Sequence, residues 1–135
     1  MKPEENSIIE EFSLDESYFF DSYAFFEILK ATIQYEKYTN VEIITSKLNI
    51  FELYHGLLRD EGEKKAKKAL ETYYKFAIDF DEEVIKEAAE LKIALNKRDV
   101  SMTDCIGYAF ARQLGIKFLT GDEQFEDMDN VEFAK

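Results

Sequence analysis

The sequence predicts an α/β domain: a three-layer sandwich with a central parallel sheet of four or five short strands and helices on both faces. Three observations predict it. Short apolar runs alternate with longer segments whose apolar residues recur at helical spacing, an order that calls for crossover connections and hence a parallel sheet. Only one Pro and five Gly occur in 135 residues, too few for the frequent turns of an all-β chain. With 46% hydrophobic and 15% aromatic residues, the chain can build a core without disulfides or a structural metal. The length suits one domain, and neither an internal repeat nor a low-complexity linker divides it.

Met1 to Ser17 is polar, acidic and weakly patterned, and is read as an extension preceding a domain over residues 18–135. Tyr18-Phe19-Phe20 is a short apolar run, a buried strand ending at Asp21. Residues 22–36 carry Ala24, Phe25, Ile28, Leu29 and Ile33 at helical spacing, and Val41 to Thr45 suits a second strand. A helix follows with Leu48, Phe51, Tyr54, Leu57 and Leu58 on one broad apolar stripe. Glu63 to Tyr74 is a charged helix, and Phe76-Ala77-Ile78 could form a brief strand. Glu82 to Leu95 and Ser101 to Leu114 are the next helices, the latter with Met102, Ile106, Ala109 and Phe110 facing the core and Gly115 as its stop. Ile116 to Leu119 reads as a strand, Asp122 to Met128 as a short helix and Val131 to Phe133 as a last strand.

Lone Cys105 has no internal disulfide partner and reads as a small buried hydrophobe, while lone His55 reads as a surface residue. No secretion signal or membrane-length apolar run is present, so a reducing cytoplasm is the expected compartment. The net charge of −12 speaks against a nucleic-acid enzyme, but its distribution is uneven. Acids crowd both ends, whereas Lys64, Lys65, Lys67 and Lys68 form one basic group and Lys97 with Arg98 another. Screening over about 8 Å lets such patches act locally on RNA, although a charge run on a helix is commonly just a solvated face.

Four carboxylates draw attention at element boundaries. Asp21 and Asp122 each close a strand and open a helix, and Asp104 lies in the first helical turn after Ser101. All three have a structural explanation as N-caps or as part of a capping box. Glu52 has none, since it sits mid-helix among apolar neighbours, where an ionised carboxylate needs water, a partner or a metal. Three or four such acids could hold Mg²⁺ or Mn²⁺, hard cations that prefer oxygen donors and that activate water against a phosphodiester. No Cys/His spacing suggests zinc.

Phe20-Asp21-Ser22, Phe51-Glu52-Leu53 with Gly56, Thr103-Asp104-Cys105-Ile106 with Ala109, and Leu119-Thr120-Gly121-Asp122 with Phe125 occur in that order. Together they resemble the PIN-domain family, in particular the compact prokaryotic branch that includes VapC-type toxins. The resemblance runs from Tyr18 to Phe133. It implies strand order 3-2-1-4-5 and Mg²⁺- or Mn²⁺-dependent RNA cleavage, with Asp21, Glu52, Asp104 and Asp122 as metal ligands and Ser22 and Thr120 as supporting hydroxyls. It also implies a homodimer and an antitoxin partner. The aromatic residues Phe25, Phe26, Tyr35 and Tyr38 could supply an exposed apolar patch for that dimer. One departure stands out: many toxin members carry a further acid two residues after the one matching Asp122, and Gln124 stands there.

Two other classes compete with the ribonuclease. One is a PIN-like binding or assembly module that has lost catalysis, against which the retention of all four acids counts. The other is a phosphotransfer domain using Asp21. It lacks the second acid that haloacid-dehalogenase-like enzymes place two residues on, where Tyr23 stands.

Overall fold

Phe19 and Phe20 point to opposite sides of the central strand, and that alternation organises the molecule, which the computed structural model describes over residues 16–135. Strand β1 (Ser17–Phe20) lies between β2 (Glu42–Ile44) and β3 (Lys117–Thr120), and β4 (Val131–Phe133) completes a four-stranded, all-parallel sheet in the order β2-β1-β3-β4. Phe19 is level with Phe118 and Phe20 with Leu119, so each face carries a row of fully buried side chains.

Helix α1 (Ser22–Leu29) follows β1, and α2 (Lys47–Asp60) and α3 (Glu63–Tyr73) form a hairpin after β2. Helices α4 (Glu82–Ala94) and α5 (Met102–Leu114) precede β3. Phe20, Leu119, Phe25, Leu53 and Ala66 pack on the face covered by α1, α2 and α3, and Phe19, Phe118, Val84, Ala109 and Phe125 on the face covered by α4 and α5. Gly115 ends α5 with φ 74°, the left-handed conformation that favours glycine there. Cys105 is buried and His55 exposed, as expected. Residues 1–15 of the acidic extension lie outside the described residues, and Ser17 already belongs to β1.

Several local expectations are corrected. The expected third strand at Phe76-Ala77-Ile78 is a 3₁₀ turn (Tyr74–Phe76) followed by one parallel bridge between Ala77 and Thr45. Thr45 donates to the Phe76 carbonyl and accepts from Ile78, both at 3.0 Å, so the edge position beyond β2 expected for the third strand survives as one rung. The first helix does not run to residue 36. It stops at Leu29, Ala31 takes φ 57°, and a 3₁₀ helix (Ile33–Tyr38) follows. That break swings Tyr35 and Tyr38 inward, where their hydroxyls bond the Ala134 carbonyl at 2.7 Å and Glu132 at 2.6 Å. With Phe25 buried too and Phe26 half-buried over Gly56, these rings fill the core and do not form the expected exposed patch. The segment after Asp122 is likewise only a 3₁₀ turn (Glu123–Phe125).

The inward face of α2 is Asn49, Ile50, Leu53, Gly56 and Leu57, which turns Phe51 (66% exposed) and Leu58 outward. Phe51 stacks on His55 instead, with ring planes 3° apart. Met102 also faces solvent, while Ile106, Ala109 and Phe110 are buried as expected. The two faces should differ in stability measurements. Phe118 touches Phe19, Tyr108 and Phe125, so Phe118→Ala should lower the unfolding free energy by about 3–5 kcal/mol. Phe51→Ala should change it by no more than about 0.5 kcal/mol. Urea unfolding in chelator measures both, and comparable losses would return Phe51 to the core face.

Candidate active site

The acids sit around the carboxyl ends of the strands, where open parallel sheets bind ligands. Asp21 directly follows β1, its N–H still bonded to the Leu119 carbonyl at 3.1 Å. As N-cap of α1 it accepts the Ser22 N–H through Oδ1 at 2.8 Å. Its Oδ2 accepts the Thr120 hydroxyl at 2.7 Å. Thr120, the last residue of β3, also accepts the Asp122 N–H through Oγ1 at 3.1 Å, so one buried hydroxyl joins two acids.

Ser22 makes the corresponding link on the other side. Its hydroxyl donates to Glu52 Oε1 at 2.6 Å and accepts from Asn49 Nδ2 at 3.2 Å. Asn49, wholly buried on α2, accepts the Ser46 hydroxyl at 2.7 Å. Burying an amide is costly unless it is bonded, and here both ends are. A continuous chain therefore runs Ser46–Asn49–Ser22–Glu52 and, through Ser22 and Thr120, on to Asp21 and Asp122. Asp104 lies outside it: its bonds are those of a capping box with Ser101, at 2.9 Å and 3.0 Å. Asp122 caps its own turn, accepting the Gln124 N–H through Oδ1 at 3.0 Å.

The caps are thus real, and so is the cluster. Asp21 is 3% exposed, and its pKa is pushed up to about 8, first by burial and then by the nearby charge of Asp104, with Glu52 adding to it. The bonds from Thr120 and Ser22 oppose the rise without cancelling it. Asp104 is raised by burial and by Glu52 and Asp122, against the lowering influence of Ser101. Each sequence-expected acid therefore falls within electrostatic reach of another, and no basic side chain is prominent among the groups acting on Asp21 or Asp104.

The chemistry of this donor set fits a hard divalent cation, because every donor is oxygen and a buried, uncompensated carboxylate gains most from a positive charge. Asp122 Oδ2 and Glu52 Oε2 have no hydrogen bond among the described residues. The fit is one of chemistry and proximity: among the described residues, no three acids already stand in a geometry that would hold one ion.

Sequence reasoning missed Asn49 and Ser46. The available signal was Ser46 as N-cap with an amide three residues on, a capping pattern that also carries the amide into the apolar face. The expected RNA-contacting residues are scattered. Lys65 pairs with Glu61, at the end of α2, and Lys67 with Glu63 on α3, Lys64, Lys68 and Lys97 are exposed, and Arg98 is bound to Asp127 and the Gln124 carbonyl. A surface concavity of 790 Å³ lined by Ile33, Lys37, Phe133 and Lys135 includes none of the four acids.

A family model described as the PIN domain matches residues 18–131. No curated protein matches the sequence. Solved structures similar in fold include VapC20 of Mycobacterium tuberculosis, described as a sarcin-ricin loop cleaving toxin. It is 19% identical with TM-score 0.70, over 87% of this chain and 99% of that one. VapBC2 of Rickettsia felis, bound to a promoter DNA fragment, is 18% identical with TM-score 0.69, over 88% and 99%. A toxin–antitoxin complex from Klebsiella pneumoniae is 16% identical with TM-score 0.66, over 85% and 95%.

The raised pKa of Asp21 makes stability depend on pH in a definite direction. The folded state keeps a proton that the unfolded chain releases near 3.8, so this contribution is complete below that value and is lost as pH rises through about 8. In chelator, the wild type should lose thermal stability across that window more steeply than Asp21→Asn, which should be the more stable of the two at the alkaline end. Melting curves in EDTA at several pH values test this, and parallel profiles would mean that Asp21 titrates normally.

Proposed function

The chain belongs to the PIN domain family, and from that membership we propose that it is a metal-dependent endoribonuclease of the VapC type that hydrolyses RNA phosphodiester bonds. Asp21, Glu52, Asp104 and Asp122 would hold Mg²⁺ or Mn²⁺. The observation that carries this reading is Asp21: a buried carboxylate at a strand end, destabilised first by burial and then by the neighbouring acids Asp104 and Glu52. Such a site is a poor structural element and a good metal ligand.

When bound, the ion supplies a water nucleophile at neutral pH and offsets charge on the leaving oxygen. The protein's own residues supply position. Thr120 fixes Asp21 and the backbone of Asp122 together, and Ser22, itself held by Asn49, aims Glu52. Gln124 adds a neutral amide where a further acid would strengthen a second ion site. Names of similar folds support an antitoxin as partner. A homodimer rests on family resemblance alone, since of the aromatic rings expected to form its patch Phe25, Tyr35 and Tyr38 are buried and Phe26 is half-buried. No helix among the described residues is long and apolar enough to cross a membrane. The absence of a ready three-acid geometry favours one second reading, a PIN-like binding module without catalysis.

Cleavage of a panel of structured RNAs with Mg²⁺ or Mn²⁺ separates the two. The wild type should cut and chelator should stop it, while folded Asp21→Asn and Asp104→Asn should each lose at least about a hundredfold in rate. Asn is a competent N-cap at position 21, and at position 104 its side-chain oxygen can still accept the Ser101 N–H, so their folding should persist. Undiminished cleavage by Asp104→Asn would refute the assigned site. Metal binding by the wild type with no cleavage across the panel would favour the binding module.

A further inference from the structure

Three of the four acids are joined by hydrogen bonds, but Asp104 is not. Its helix α5 begins after a loop, residues 95–101, whose backbone is closely stapled. Arg98 donates its N–H to the Leu95 carbonyl at 2.9 Å, Val100 donates to the Arg98 carbonyl at 3.0 Å, and Lys92 Nζ reaches the Val100 carbonyl at 2.9 Å. Val100 is buried, and Ser101 next to it caps α5 and holds Asp104.

From this loop the Arg98 guanidinium crosses to the turn that follows Asp122. Nη1 donates to the Gln124 carbonyl at 2.7 Å and to Asp127 Oδ1 at 2.8 Å, and Nη2 donates to Asp127 Oδ2 at 3.1 Å. The receiving turn is rigid. Phe125 donates its N–H to the Asp122 carbonyl at 3.0 Å, and its buried ring packs on Tyr108 and Phe118. One planar fork therefore ties the segment carrying Asp104 to the segment carrying Asp122.

We propose that Arg98 is a positioning residue of the acid site, which sets the spacing of Asp104 against Asp122 by bridging their two loops. The inference rests on the metal-site reading above. Its physical basis is the guanidinium's shape: a fork can bind a carboxylate through two nitrogens while one of them also reaches a carbonyl, which an ammonium cannot reproduce. A half-exposed ion pair of this kind contributes little to global stability, so its value lies in local geometry. Partners behind metal ligands typically govern affinity strongly when they orient them.

Two measurements on the full chain test this. Mn²⁺ affinity, read by electron paramagnetic resonance of the free ion, should fall about tenfold or more in Arg98→Ala, with Arg98→Lys recovering only a minor part. Amide exchange in metal-free protein should rise about tenfold at Asp104 and Gln124, whose N–H groups sit in the two tethered turns, and stay unchanged at Leu53 and Phe110 in the core. Asp127→Ala, which removes the carboxylate half of the bridge and leaves the Gln124 carbonyl, should move both measurements in the same direction and serves if Arg98→Ala does not fold. Unaltered Mn²⁺ affinity in folded Arg98→Ala overturns the proposal, as does full recovery by Arg98→Lys, which would make charge alone responsible. If the wild type binds no Mn²⁺, the functional reading fails, and exchange at Asp104 and Gln124 alone then decides whether Arg98 ties the two loops.

Discussion

The strand ends are organised around one constraint: the carboxyl group of Asp21 is almost fully removed from water, and among the described residues no basic side chain is prominent among the groups acting on it. Desolvating a charge costs several kcal/mol or more, on the order that decides whether a domain folds. Two hydrogen bonds, from Ser22 N–H and the Thr120 hydroxyl, recover part of that cost. Each donor has further duties. Thr120 is also the acceptor for Asp122, and Ser22 also aims Glu52 and is fixed by buried Asn49. The surrounding polar network follows from stabilising one awkward group.

Capping and clustering are compatible uses of the same acids. An N-cap employs the carboxylate as a hydrogen-bond acceptor for one or two N–H groups, a contribution of roughly 1 kcal/mol that Asn matches nearly as well. That role fixes where the oxygens sit. It does not explain why Asp21 and Asp104 lie near enough to other acids of the set for their pKa values to be raised, because a cap gains nothing from neighbouring negative charge. Stability alone would disperse these charges. Their convergence is the feature that a structural role leaves unexplained.

What was legible in the sequence was local. Tyr18-Phe19-Phe20 before Asp21, Gly115 after a helical stripe and Ser101 three residues before Asp104 each carry their structural meaning within a few positions. Misreadings arose where distant contacts outweighed local pattern. Phe51 fits an apolar stripe, yet α2 turns so that Asn49 is inside, because Ser22, a residue 27 positions away, satisfies its amide. Tyr35 and Tyr38 fit a continuing helix, yet their hydroxyls bond residues 94 to 99 positions on, and the chain breaks to reach them. Arg98 looked like a free cation because its partners lie 26 and 29 residues later. The four acids were legible as a set through resemblance; their burial and linkage were not, because both depend on the packed sheet.

The electrostatics leave the proposed reaction with a narrow route to its substrate. A net charge of −12 repels RNA, and Lys65 and Lys67 of α3 are partly neutralised by Glu61 and Glu63. Beyond about 8 Å such repulsion is screened, so the balance is struck close to the site. There the bare acids present the least hospitable surface to a phosphate. A divalent ion held among them would offset much of that charge, so the acids that oppose substrate would become the means of retaining metal and, through it, the phosphate. On this reading metal affinity governs substrate affinity as well as chemistry. That places unusual weight on the groups that aim the acids — Thr120, Ser22, Asn49 and Arg98 — none of which need touch RNA to control its cleavage.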